Sequence, residues 1–185
     1  AGRLNVVRAL AHAQPSLVNS ATAPDGASAL LLAAASGHLN VVKYLLRVGA
    51  RIEHTMAGGA TPLYASCAQG HTHIVRVLIA AKASVHRADD DGTEPLFIAA
   101  ALGHSDVVGR LLRASATPSW DARDDRTPLY AASQHGHLEV VRMLIEHSAD
   151  ACRDRGGDAC RVLAGADAGA DGWCAHDADA RVAKL

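Results

Sequence analysis

The 185-residue chain holds only six aromatic side chains: two Trp, three Tyr and one Phe. Sheets are favoured by aromatic and β-branched residues, so this scarcity argues against a β core. Much of the 49% hydrophobic content is instead Ala and Leu, which suits closely stacked helices. No apolar run approaches the ~20 residues a helix needs to cross a bilayer, so membrane insertion is not expected. A basic start followed by an apolar core, the mark of a secretory signal, is also missing. Neither sign of charge dominates. The formal net charge is −1, which gives the whole molecule no pull toward nucleic acid or anionic lipid. The four cysteines, Cys67, Cys152, Cys160 and Cys174, are irregularly spaced and do not read as a disulfide framework. These absences set the expectation of an intracellular, water-soluble protein, cytoplasmic or nuclear.

What the chain does have is repetition. Gly-His pairs occur at Gly37-His38, Gly70-His71, Gly103-His104 and Gly136-His137, 33 residues apart each time. In phase with them run Leu30, Leu63, Leu96 and Leu129, then Val41-Val42, Ile74-Val75, Val107-Val108 and Val140-Val141. Leu45, Leu78, Leu111 and Leu144 follow, and Ala50, Ala83, Ala116 and Ala149 close each unit. Within a unit the punctuation predicts two helices. Thr61-Pro62 and Thr127-Pro128 place a capping hydroxyl before a Pro at the first helical position. A short Ala-rich helix then runs to the Gly of Gly-His, which permits a left-handed turn. A second helix carries the Val-Val and Leu stripe. Each helix is too short to bury its face alone, so the units must stack.

These residues resemble the ankyrin repeat, whose motif runs D-x-x-G-x-TPLH-x-A-A-x-x-GH, followed by a second helix ending in G-A. The resemblance implies an all-α solenoid of stacked helix-turn-helix units with projecting β-turn or hairpin loops. It covers residues 23–154, with units at 23–55, 56–88, 89–121 and 122–154. The stretch GRLNVVRAL from Gly2 matches GHLNVVKYL from Gly37, so residues 1–22 read as the second half of a truncated repeat. A longer parent array is the expectation. Departures from the motif are Leu31, Tyr64, Phe97 and Tyr130 in place of its His, and Glu94 in place of a capping Thr. Asp125 replaces the turn Gly, and Lys82, Ser115 and Ser148 stand where only Gly49 keeps the helix-ending Gly.

The segment TPLYASCAQGHTHIVRVLI, from Thr61, gathers Cys67, His71, His73 and Tyr64, and its repeat register argues against chemistry. Cys67 occupies the slot of Ala34, Ala100 and Ser133, where neighbouring first helices approach, and a buried, inert thiol is expected. The repeated His residues belong to stacked helices roughly 8–10 Å apart, too far for Zn–N bonds of about 2 Å. From Arg155 the pattern fails. Residues 155–185 read as a degenerate cap or flexible tail, with ACRVLAGA as a partial helix over the last unit. Cys152, Cys160, Cys174 and His176 lack Cys-x-x-Cys knuckles, so no metal or other cofactor is expected.

Function should reside in what packing does not require. The resemblance implies a concave groove lined by the turn tips and the outer face of the first helices. The candidate partner-binding residues are Asp90, Asp91, Thr93, Arg123, Asp124 and Arg126 on the tips, with Ala101, Leu102, Gln134 and His135 at the helix ends. Asp89 to Asp91, Asp124 and Asp125 favour a protein partner carrying Lys or Arg, with a hydrophobic side chain meeting Leu102. The competing reading of these charges is an ordinary solvated turn. A monomeric, non-catalytic protein-binding module is expected, since no acid, base and nucleophile converge. The alternative is a targeting or regulatory segment of a larger enzyme or channel. The Lys43, Arg47, Arg76, Arg113 and Arg142 stripe lacks the aromatic platforms of a nucleic-acid surface.

Overall fold

The structure, a computed structural model, describes residues 4–21, 25–116 and 127–154, with side chains as far as 148. Contacts divide the chain into two compact units, Ala1–Val141 and Arg142–Leu185. The first unit begins with α1 (Leu4–Ala13) and a 3-10 turn over Pro15–Asn19. Helix pairs follow: α2 (Ala29–Ala35) with α3 (Leu39–Arg47), α4 (Pro62–Ala68) with α5 (Thr72–Ala80), and α6 (Pro95–Ala101) with α7 (Ser105–Arg113). Then come α8 (Pro128–Gln134) and the start of α9 (Leu138–Asp154). Among the described residues the only β pairing is an isolated bridge between Ala21 and Ser28, so the projecting loops are turns rather than stranded hairpins.

The first helices start where the sequence places hydroxyl caps. Ser28, Thr61 and Thr127 accept hydrogen bonds from the backbone N–H groups of Leu31, Tyr64 and Tyr130. Each bond satisfies an N–H that the helix itself leaves open. Glu94 makes no such bond to α6; its carboxylate lies 3.8 Å from His86 Nδ1 instead. The chain then turns through Gly37, Gly70 and Gly103, all at positive φ.

Successive pairs stack in two rows. In one, α2 packs on α4, α4 on α6 and α6 on α8; in the other, α1 packs on α3, α3 on α5 and α5 on α7. Leu30, Leu63 and Leu96, with Val42, Val75 and Val108, are at most 1% exposed. Burying each such side chain is worth about 1.5–3 kcal/mol. Because the contacts join one pair to the next, that stabilisation belongs to the stack and not to any single hairpin.

A second set of contacts fixes the spacing of the layers. Nε2 of His71 hydrogen-bonds the Ala35 carbonyl at 3.1 Å, that of His104 the Ala68 carbonyl at 3.0 Å, and that of His137 the Ala101 carbonyl at 3.0 Å. Each imidazole therefore satisfies the end of the preceding pair's first helix rather than its own turn. Since a carbonyl only accepts, Nε2 carries the proton in all three. At the far ends of the second helices, Asn19 Oδ1 accepts from Arg51 N at 2.8 Å and Glu53 Oε1 from Ser84 N at 2.8 Å. Both bonds reach from one unit into the next.

The closing turns differ from one another. Gly49 has φ +87°, while Lys82 and Ser115 take the same left-handed region at +70° and +65°. For residues with a Cβ that region costs roughly 1–2 kcal/mol. The expected closing turn at Ser148 does not form, because α9 runs on to Asp154. Within the second unit Ser148 Oγ donates back to the Leu144 carbonyl at 2.7 Å.

Candidate functional site

Two features position the candidate surface: the tips between units and the exposed side of the first-helix row. The tip over Asp89–Thr93 is built on one carboxylate. Asp89 Oδ1 accepts from Asp91 N at 3.1 Å and from Thr93 N at 2.8 Å. Such side-chain bonding to the backbone two or more residues on is what makes Asp a turn former. Asp25 does the same for Ala27 N at 3.2 Å. Asp89 is therefore structural, and the D-x-x-G spacing of the sequence carries that signal.

The tips are also tied to one another. Ala57 N donates to the Asp25 carbonyl at 2.6 Å and Asp90 N to the Gly58 carbonyl at 3.1 Å. A Cβ added at Gly59 would sit 2.5 Å from both the amide nitrogen and Oδ1 of Asp90. Asp90 is therefore engaged with the preceding tip, although its side chain stays exposed. Asp91 is exposed as well, and it is bound only through its backbone. Thr93 is half-buried with its N–H held by Asp89. Arg123, Asp124, Arg126 and Asp125 lie outside the described residues, as does the 155–185 segment with Cys160, Cys174 and His176.

On the first-helix row, Leu102 is 48% exposed, an apolar side chain that packing does not use. Ala101 beside it is half-buried and its carbonyl receives His137. Gln134 and His135 are exposed. His135 Nδ1 hydrogen-bonds its own helix at Ala131 O, 2.9 Å away, and its ring stacks on His137 with centroids 6.1 Å apart. Sequence reasoning missed Leu32 and Tyr130, exposed by 50% and 56% on the same row of helices. Tyr130 shares its slot with Leu31, which is buried, so the repeat pattern alone hides the difference. Tyr64, in that slot too, has its phenol pushed up to about 12 by burial, with Asp89 and Asp91 adding to the effect.

Cys67 is wholly buried, and burial pushes its thiol far above the ordinary range. His71 has turned its Nε2 to Ala35, and nothing here generates a thiolate. In the folded chain Cys67 is expected to resist iodoacetamide at pH 8 and to react fully in urea, as read by mass spectrometry of its peptide. Equal labelling in both states would contradict the burial. Among the described residues no group of three or more His, Cys, Asp or Glu side chains is arranged to hold a metal ion. No helix among them is long and apolar enough to cross a membrane.

Against known proteins, a family model described as "Ankyrin repeats (3 copies)" matches residues 1–89, 50–124 and 82–155. A search of the curated proteins found no match. Ankyrin repeats are in general protein-protein interaction modules and typically non-catalytic. The matched segments run through the paired helices and the histidine-linked layers described above. The chain belongs to the ankyrin repeat family.

Proposed function

We propose that this chain is a non-catalytic module that binds another protein along its turn tips and first-helix row, centred on the third and fourth units. The observation that carries the reading is Leu102, a half-exposed leucine on the first-helix row, whose tip carries the exposed Asp91. An apolar side chain of the partner would be desolvated against Leu102, and a Lys or Arg beside it would meet Asp91. Buried anchors of this kind dominate interface energies. The surface is held by backbone and histidine hydrogen bonds before any partner arrives, so little ordering entropy is lost on binding. Asp90, Thr93, Ala101, Gln134 and His135 frame the anchor, and Arg123, Asp124 and Arg126, outside the described residues, are the remaining candidates for contact.

The test pairs capture with quantification. A partner captured from the source extract by the wild-type chain is identified by mass spectrometry, then titrated against a Leu102→Asp, Asp91→Arg variant. Affinity is expected to fall at least about a hundredfold, the loss of a hot spot together with a charge reversal. The variant should keep its helical circular dichroism and melting temperature. Undiminished affinity would place the interface elsewhere.

A further inference from the structure

The basic side chains of the second helices play no part in that reading, yet two of them line a cavity. The turns into α3 and α5, with Gly37, Leu39 and Gly70, and one stripe of α7 border an open groove of about 470 Å³, within the range of small-ligand sites. Thr72 and His73 contribute from α5, and Asp106, Arg110 and Arg113 from α7. The α7 residues are spaced four and three apart, which puts them on one helix face. Ile74, buried, lies at the apolar part of the lining.

Packing does not explain Arg110. The equivalent slot in the other units holds Tyr44, Val77 and Met143, so an apolar side chain suffices for the stack. The ion pairs among the described residues are His86–Glu94 and Arg87–Glu53; neither Arg110 nor Arg113 has a carboxylate within 4.0 Å there. His73 is likewise singular, since its slot holds Asn40, Asp106 and Glu139 elsewhere. His71, also in the lining, is held by Ala35 and serves as wall.

We propose that this cavity binds a phosphate monoester, with Arg110 and Arg113 as paired guanidinium donors and His73 completing the cradle; the Thr72 hydroxyl already donates to the Gly70 carbonyl at 3.5 Å and serves as wall. Guanidinium groups match phosphate oxygens in bidentate geometry. Two of them against the single carboxylate of Asp106 leave a net positive lining. A tetrahedral dianion offers more acceptor oxygens, and more charge, to donors on both walls than a carboxylate does. None of the residues proposed for partner binding lines the cavity, so either reading can fail without the other.

The test is titration of the full chain by NMR at constant ionic strength, once with inorganic phosphate and once with N-acetyl-O-phosphoserine amide. Saturable shifts are expected at Thr72, His73 and the Nε–H groups of Arg110 and Arg113. Arg110→Gln with Arg113→Gln should weaken binding by roughly tenfold or more, as for lost charge-assisted hydrogen bonds. Asp106→Asn should strengthen it, and Lys43→Gln with Arg47→Gln should leave it unchanged. Tighter binding of the phosphoserine amide assigns the phosphate to a peptide; equal binding assigns it to a free phosphate compound. Shifts that grow linearly without saturation, or spread equally over Lys43, Arg47 and Arg76, would overturn the proposal. Unchanged affinity in the doubly substituted chain would overturn it as well.

Discussion

Leu96→Ala is expected to lower the unfolding free energy by about 3 kcal/mol, the middle of the range for emptying a buried leucine site. Leu96 is 0% exposed in α6, and α6 packs on α4, α7 and α8. A cavity there removes contacts from three helices at once, and short helices cannot collapse onto it without breaking their register with the neighbouring layers. Leu102→Ala provides the control. It stands six residues later and is 48% exposed, so its loss should stay within about 0.5 kcal/mol. Urea titration followed at 222 nm measures both. Equal costs for the two substitutions would show that Leu96 is not in a shared core.

The second large effect separates backbone strain from steric contact. Gly103 and Gly136 both have φ +73°, so alanine at either costs about 1 kcal/mol or somewhat more for the left-handed conformation. Their surroundings differ. A Cβ at Gly103 would lie 2.5 Å from Nδ1 and 2.6 Å from Cε1 of His137, whereas at Gly136 nothing among the described residues comes within 4 Å. Gly103→Ala must therefore push the imidazole aside and break its bond to Ala101 O. That adds about 1–3 kcal/mol for a half-buried polar group left unpaired. The expected losses are about 3 kcal/mol for Gly103→Ala and about 1 kcal/mol for Gly136→Ala. A His137→Ala background should bring the two closer together. If the two glycines respond alike in the native background, the imidazole ladder does not hold the layers.

The fold was legible because it is written repeatedly. One Leu or one Gly-His pair means little, but four in register over a period of 33 residues specify paired helices that must stack. Cys67 was readable for the same reason, since its slot is occupied by small residues elsewhere. The candidate surface was only half readable. Leu102 stood out because its slot otherwise holds Ser36, Gln69 and His135, and the structure leaves it exposed. Asp89, Asp90 and Asp91 looked alike as a run of acids. In the structure Asp89 closes the turn and Asp90 is tied to the preceding tip, while Asp91 stays unengaged through its side chain.

Local pattern alone determined the helix pairs, their caps and the identity of the core, because capping, periodicity and burial act within a few turns of chain. Long-range contact decided the rest. The bonds of His71, His104 and His137 each span 36 residues, and no local rule says that a turn histidine will serve the unit before its own. The convergence of Thr72 and His73 with Arg110 and Arg113 likewise joins α5 to α7. A sequence states which side chains a unit carries; only the packing of one unit on the next determines which of them meet.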